Sequence, residues 1–144
     1  MKSMTAMRFV DTNILLYAAS TEPREAGKWD VARALLDAED LALSVQVLQE
    51  FYFQATDDTR RDRLSHRQAV DLIEAWMRYP VQEVTIELMR LALTARERWR
   101  ISYWDAVIVE SARMLGCDVL LSEDLQDGMD FAGVRAVNPF SDAG

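Results

Sequence analysis

Four acidic side chains stand where apolar segments of the sequence begin, end or are interrupted. Asp11 follows the apolar stretch "MRFV", and Asp124 closes "DVLLSED". Glu50 lies within "VQVLQEFYF", and Asp105 opens "DAVIVESA". If these carboxylates converge, they repel one another and each resists losing its water. A divalent cation between them would relieve both problems, and oxygen ligands of this kind favour Mg²⁺ or Mn²⁺.

Neighbouring polar residues could support such a metal site. Thr12, Asn13 and Ser122 lie beside the acids in the sequence and could hydrogen-bond the ligands or a metal-bound water. A bound metal lowers the pKa of its water and stabilises negative charge on a phosphate. The four acids therefore predict a metal centre suited to hydrolytic chemistry at a phosphate.

Each acid also has a purely structural interpretation when it is taken alone. Asp11 could cap the helix that follows it, a position at which aspartate is favoured. Asp105 could stabilise a helix start through the helix dipole. Glu50 could be a solvated helix residue, and Asp124 could belong to the turn in "SEDLQDG". The functional interpretation rests on all four acids together.

Other residues with reactive side chains are expected to be structural. Glu123 and Asp127 are predicted to be exposed turn acids, with Asp127 also a candidate for a further metal ligand. Glu110 is predicted on an exposed helix face, paired with Arg113 three residues on. The single histidine, His66, lies in a polar stretch and is expected at the surface.

The elements that must position the four acids alternate between strand and helix. The predicted strands cover 7–10, 41–45, 81–85, 118–122 and 134–140, and the predicted helices cover 12–18, 28–38, 45–55, 66–78, 86–99 and the segment that Gly116 ends. This alternation favours an α/β fold, a three-layer α/β/α sandwich with a central parallel sheet. Strand carboxyl ends and helix starts share one edge of such a sheet, so the acids can converge there. A single domain over residues 1–144 is expected from the length.

Composition narrows the class of protein further. The net charge of −8, from 24 acids and 16 bases, argues against an open basic surface for nucleic acid, although bound metal would offset clustered acids. Cys117 is the only cysteine, so no internal disulfide is expected. We expect a cytoplasmic protein without a membrane segment, because no export signal or long apolar run is present. Met1, Met4 or Met7 could be the natural start.

Several other kinds of catalytic site have little support. The sequence contains no P-loop, no "GxGxxG" and no "GxSxG". A phosphotransfer receiver domain needs a lysine late in the chain, but the two lysines are Lys2 and Lys28. An aspartyl phosphatase needs a second aspartate two residues after the first, where this chain has Asn13.

Four segments in order resemble the PIN-domain ribonucleases, specifically the VapC toxins of bacterial toxin–antitoxin pairs. These segments are "FVDTNILLY", "LSVQVLQEFY", "SYWDAVIVESARMLGCDVLLSEDLQDG" and "GVRAVNPF", and they extend from residue 9 to residue 140. "VDTN" alone is a weak signal, whereas the four segments with this spacing are a strong one.

The resemblance implies a Mg²⁺- or Mn²⁺-dependent endoribonuclease. By position, Asp11, Glu50, Asp105 and Asp124 would hold the metal, and Thr12 and Ser122 match the family's hydroxyl positions. A metal-bound water would attack the RNA phosphodiester, with Asp105 or Asp124 as a candidate to take its proton. Such toxins are usually homodimers, are silenced by a small antitoxin protein and cleave structured RNAs, often transfer RNA.

Two basic clusters and two tryptophans leave alternatives open. "TRRDR" (59–63) and "RERWR" (96–100) are candidate phosphate contacts or solvated surfaces. Trp99 and Trp104 could stack on a base, but a core position is the better prediction for Trp104. The alternative function is a non-catalytic RNA- or protein-binding module that keeps the same fold.

Overall fold

A five-stranded parallel sheet forms the centre of the protein. The structure is a computed structural model and describes residues 7–141, so the candidate starts at Met1 and Met4 lie outside the described residues. The strands are β1 (Met7–Val10), β2 (Leu41–Ser44), β3 (Val81–Gln82), β4 (Cys117–Leu121) and β5 (Arg135–Val137). Their order is β3-β2-β1-β4-β5, and every neighbouring pair is parallel. The central strand β1 buries Phe9 and Val10 completely.

Helices cover both faces of this sheet. They are α1 (Thr12–Ala18), α2 (Ala26–Leu35), α3 (Val45–Ala55), α4 (His66–Trp76), α5 (Ile86–Trp99) and α6 (Tyr103–Met114). Helix α1 contacts α2 and α3, α3 contacts α4, and α5 packs against α6. The chain travels outward from β1 to β3 and then crosses to β4. Because parallel crossovers are right-handed, the helices before and after this reversal lie on opposite faces. The predicted α/β/α sandwich is therefore confirmed.

The predicted elements exist, and several end earlier than predicted. Helix α2 covers Ala26–Leu35 rather than 28–38, and α4 ends at Trp76 rather than at 78. Strand β2 ends at Ser44 because that serine caps α3, its side chain accepting a hydrogen bond from the Val47 N–H. The edge strand β3 has two residues, and β5 stops before Asn138. The Asn138 N–H is used by the Asp127 carboxylate instead of by a strand.

The carboxyl edge of the sheet carries the residues of interest. Asp11 follows β1 and Ser122 follows β4, and the two strands are paired with Val10 opposite Leu121. The Asp11 N–H continues this pairing by donating to the Leu121 carbonyl at 3.0 Å. Within residues 7–141, no helix combines the length and the apolar character that crossing a membrane requires.

Candidate active site

Asp11 is the most buried acid at this edge. Its side chain is 7% exposed. One carboxylate oxygen, Oδ1, accepts from the Thr12 N–H at 2.7 Å, so Asp11 does cap α1. The other oxygen, Oδ2, accepts from the Ser122 hydroxyl at 2.8 Å. Both oxygens are therefore fixed by residues that follow neighbouring parallel strands.

The surroundings of Asp11 disfavour its negative charge. Burial is the largest cause and raises the pKa of Asp11 to about 6, and the charges of Asp124 and Glu50 act in the same direction. The hydrogen bonds from Ser122 and Thr12 oppose this shift but do not cancel it. A cation beside Asp11 would compensate for the energetic cost of the buried charge.

Glu50 is oriented by two side chains. The Thr12 hydroxyl donates to Glu50 Oε2 at 2.9 Å, and the Gln46 amide donates to Glu50 Oε1 at 2.9 Å. Gln46 and Glu50 lie one turn apart on α3, so they share a face of that helix. The role of Gln46 is absent from our sequence interpretation, although its spacing of four residues from Glu50 is a usable signal.

Asp124 is held by Asn13 and Ser122. The Asn13 amide donates to Asp124 Oδ2 at 3.1 Å, and Asn13 Oδ1 accepts from the Glu123 N–H at 3.3 Å. The Ser122 hydroxyl oxygen accepts from the Asp124 N–H at 3.1 Å while donating to Asp11. Thr12, Asn13 and Ser122 therefore each hydrogen-bond at least one of the predicted ligands.

Asp105 lies half-buried in the first turn of α6, whose N-cap is Ser102. Burial is the main cause that raises the pKa of Asp105, the Ser102 hydroxyl opposes it, and the charges of Asp124 and Glu50 add to it. Asp11 and Asp105 thus each experience the same two carboxylates. The fold therefore brings Asp124 and Glu50 within electrostatic reach of both Asp11 and Asp105.

The donor set matches a divalent cation in its chemistry, but it is not closed around one. Within residues 7–141, no group of three or more histidine, cysteine or acidic side chains is arranged so that it could hold a metal ion. The carboxylate oxygens of Asp11 and Glu50 are instead hydrogen-bonded to neighbouring residues. Mg²⁺ commonly takes one or two carboxylates and keeps several waters, so these residues fit it without all four binding directly.

Glu123 is not the exposed turn acid that was predicted. It is half-buried, forms an ion pair with Lys28, and accepts a hydrogen bond from the Tyr17 hydroxyl at 2.6 Å. The Lys28 ammonium also donates to the Tyr17 hydroxyl at 3.2 Å. The prediction is wrong because long side chains on α1 and α2 reach this segment, which no local pattern reveals. The contacts link the loop that carries Asp124 to two helices.

Two further predictions about side-chain position are wrong. Glu110 is buried, 5% exposed, because it lies among the buried residues of α6. Its carboxylate accepts from the Arg113 guanidinium, which also donates to the Phe131 and Ala132 carbonyls. Its pairing with Arg113 is as predicted. Trp104 is 64% exposed rather than in the core, because it precedes the buried face of α6, which starts at Ala106.

The remaining candidates are placed as follows. His66 is exposed and its ring contacts the Tyr52 hydroxyl, as expected for a surface histidine. Asp127 is exposed, and its carboxylate accepts from the Asn138 N–H at 2.8 Å, which joins the segment before β5 to the residue that follows it. Burial raises the pKa of the Cys117 thiol to about 12, so this cysteine is unsuited to act as a nucleophile.

Comparison with known protein families gives a match over most of the chain. A family model described as the PIN domain matches residues 8–130, so the chain belongs to the PIN-domain family. A search of curated proteins gives no significant match.

Solved structures share the fold at low sequence identity. A toxin–antitoxin complex from Klebsiella pneumoniae is 20% identical with a TM-score of 0.65, and the match covers 94% of this chain and 98% of that one. VapC20 of Mycobacterium tuberculosis, a Sarcin-Ricin loop cleaving toxin, is 23% identical with a TM-score of 0.62, covering 81% and 91%. FitAcB of Neisseria gonorrhoeae is 16% identical with a TM-score of 0.69, covering 94% and 99%.

Proposed function

We propose that this PIN-domain protein is a metal-dependent endoribonuclease that acts as the toxin of a toxin–antitoxin pair. The observation that carries the proposal is the buried Asp11 carboxylate, which is fixed by Ser122 and Thr12 and lies within electrostatic reach of Glu50 and Asp124. Burying repelling charges is costly unless a ligand compensates for them. Membership of the PIN-domain family and the toxin neighbours support the same activity.

The residues have separate tasks in this proposal. Asp11, Glu50, Asp105 and Asp124 would hold Mg²⁺ or Mn²⁺, directly or through water. The bound ion would supply an activated water and stabilise charge on the phosphate. Ser122 and Thr12 hold Asp11, while Gln46 and Asn13 orient Glu50 and Asp124. Phe53, one turn after Glu50 on α3, and Trp104, next to Asp105, are exposed aromatic side chains on which an RNA base could stack.

The partners belong to the same proposal. An antitoxin is supported by the toxin–antitoxin complexes among the structural neighbours. A homodimer is supported by an exposed apolar stripe on α5, formed by Ile86, Met89 and Leu93. Apolar side chains at this spacing lie along one side of a helix and favour contact with another apolar surface.

A second candidate is a PIN-fold module that binds RNA or protein without cleaving it. It is favoured by the absence, within residues 7–141, of three ligands already grouped to hold an ion. Metal-dependent turnover separates the two functions.

The test is cleavage of total RNA from the protein's own host by the purified, antitoxin-free protein in Mg²⁺ or Mn²⁺. We expect discrete fragments that disappear with a chelator. Asp11→Asn should lower the rate by about 100-fold or more, because it removes a charge worth several kcal/mol to the metal site while keeping the side-chain shape.

Asp118→Asn is the matched control, since it makes the same change at an exposed residue of β4. Metal should also raise the melting temperature of the wild type and of Asp118→Asn, but not that of Asp11→Asn. Intact RNA from a folded protein whose melting temperature responds to metal would instead support the binding module.

A further inference from the structure

The basic cluster at the end of α5 lines an open cleft. A cleft of about 510 Å³ is bordered by Arg96, Glu97, Arg100, Ile101 and Ser102. Ser102 is also the N-cap of α6 and accepts a hydrogen bond from the Asp105 N–H at 3.0 Å. The cleft therefore adjoins the helix start that carries one of the four site acids.

The two arginines in this cleft have few partners for their positive charges. Arg96 contacts Glu97 at 3.7 Å, but both side chains are mostly exposed, and such a pair holds its partners weakly. Among residues 7–141, the Arg100 guanidinium has neither a hydrogen-bond partner nor an ion-pair partner. Two guanidinium groups against one carboxylate leave the cleft with a net positive charge, in a protein whose overall net charge is −8.

The other basic cluster differs in this respect. Around residues 59–63, Arg60 pairs with Asp62 at 2.9 Å and Arg63 pairs with Asp58 at 2.9 Å. Both contacts are shorter than the one between Arg96 and Glu97, and the Arg60 pair is also partly buried, so two of the three arginines of this cluster are paired more closely with acids. The structure therefore distinguishes two clusters that are equivalent in the sequence.

The backbone at Arg100 has a left-handed conformation, with φ 55° and ψ 45°. This conformation ends α5, and the Arg100 N–H donates to the Arg96 carbonyl at 2.9 Å. Glycine adopts this left-handed conformation at lower cost than residues with a side chain do. An arginine at this position brings a second guanidinium to the cleft that Arg96 borders.

We propose that Arg96 and Arg100 form a subsite for the phosphodiester backbone of RNA, beside the acidic site. Guanidinium groups bind phosphate oxygens through paired, charge-assisted hydrogen bonds. The carboxylates at the sheet edge repel a nucleic acid strand, so a basic subsite next to Asp105 offsets that repulsion. The identification of the ligand as RNA rests on the proposed function.

The test measures binding of a 20-nucleotide, fluorescein-labelled RNA of mixed sequence by anisotropy. It is done in a chelator, so that nothing depends on cleavage, and over a series of salt concentrations. Arg96→Gln/Arg100→Gln should weaken binding about tenfold, because exposed charge contacts each contribute up to about fivefold. It should also lower the salt slope by about 1.4, or about 0.7 for each lost phosphate contact.

Three further variants separate charge from structure. Arg61→Gln/Arg67→Gln removes the same charge at exposed positions elsewhere and should leave affinity and slope near those of the wild type. Glu97→Gln should tighten binding, since it removes the one carboxylate in the cleft. Arg100→Gly should keep or raise the melting temperature while weakening RNA binding, whereas a structural role for the side chain predicts the reverse. Light scattering checks that all variants keep the oligomeric state of the wild type.

Equal affinity and slope for the wild type and Arg96→Gln/Arg100→Gln would overturn the proposal, as would loss of binding in both double variants. DNA of the same sequence is the second probe, and dependence on these arginines for DNA but not for RNA would also overturn it. If the wild type fails to cleave RNA with metal while arginine-dependent RNA binding persists, the nuclease function fails and the subsite stands.

Discussion

Asp11 shows how one side chain can meet both interpretations of a sequence pattern. It caps α1 through the Thr12 N–H, and it is also buried within electrostatic reach of Asp124 and Glu50. The cap alone does not require a buried acid, because serine or asparagine would serve equally well. Asp11 differs from such a cap in its second carboxylate oxygen, Oδ2. This oxygen accepts a hydrogen bond from the hydroxyl of Ser122, which follows the neighbouring strand β4.

Ser122 is expected to be essential for this arrangement. It is fully buried, and Ser122→Ala would leave Asp11 Oδ2 without its donor, at a cost of about 1–3 kcal/mol for an unsatisfied buried group. Cleavage should also slow about tenfold or more through kcat, since Asp11 and Asp124 both lose a contact. Urea unfolding and steady-state kinetics measure the two effects.

Ser111 provides the matched control for that variant. It is equally buried, yet its hydroxyl has no hydrogen-bond partner among the described residues. Ser111→Ala should therefore change stability and cleavage little. Equal effects of the two substitutions would show that burial of a serine, rather than its bond to Asp11, is what matters.

At the scale of single residues, the sequence predicts where a residue lies relative to a strand or helix better than it predicts whether its side chain is buried. Asp11, Thr12 and Ser122 could be placed because each follows a strand whose end is visible in the apolar pattern. The burial of Glu110 and the exposure of Trp104 could not, because helix α6 is apolar around most of its circumference. The pattern there does not say which side faces the protein interior.

At the scale of elements, Lys28 joins α2 to the loop after β4. It pairs with Glu123, which lies between Ser122 and Asp124, and Tyr17 of α1 contributes a second bond. The aliphatic stem of Lys28 would be preserved in Lys28→Met, so that change removes the charge with little loss of packing.

We expect Lys28→Met to lower kcat about tenfold with a smaller change in KM, because the loop that carries Asp124 loses an anchor. Lys28→Arg should restore part of the rate, since it returns a cation that can reach Glu123. Cleavage kinetics on the RNA substrate measure both. An unchanged kcat in Lys28→Met would show that Asn13 and Ser122 are sufficient to hold Asp124 in place.

A second link between elements joins β1 to the start of β2. Arg8 donates to both Asp40 carboxylate oxygens, at 2.8 and 2.9 Å, and these bonds are the main cause that lowers the pKa of Asp40. A lowered pKa in the folded state means that the contribution to stability is present above the ordinary value of 3.8 and is lost as the pH falls through the folded pKa.

Asp40→Asn should therefore destabilise the fold by about 1 kcal/mol at pH 7, as expected for a partly exposed, two-bond ion pair. The difference from the wild type should shrink below about pH 4. Urea unfolding at both pH values is the measurement, and Asp71→Asn is the control because its pair with Arg67 is longer, at 3.8 Å, and exposed. A difference that is independent of pH would exclude the ion pair as its source.

The elements themselves were predictable, and their ends were less so. Strand β3 is short because Thr85 is taken as the cap of α5, its hydroxyl accepting from the Leu88 N–H at 3.1 Å. Strand β5 is short because the Asn138 N–H bonds to Asp127. At β3 the cap fixes where the helix begins, and at β5 a side chain takes a backbone N–H next to the strand. The apolar pattern records neither contact.

At the scale of the whole molecule, the order β3-β2-β1-β4-β5 decides where chemistry can occur. The central strand β1 and its neighbour β4 lie on the two sides of the chain reversal, which is where open parallel sheets bind ligands. The predicted convergence of acids required only that the sheet be parallel. Predicting a partner surface on α5 requires knowing which of its apolar side chains are exposed. That depends on how the helix packs in the folded protein.

The proposed homodimer would use the exposed apolar stripe on α5. The stripe of Ile86, Met89 and Leu93 is exposed along α5, and burying it against a second copy would stabilise a dimer by the hydrophobic effect. Leu93→Glu should convert the protein to a monomer, as measured by light scattering after gel filtration. Thr94→Glu introduces the same charge at an exposed position on another side of α5 and should leave a dimer. A dimer that survives Leu93→Glu, or a monomeric wild type, would show that this stripe is not where two copies meet.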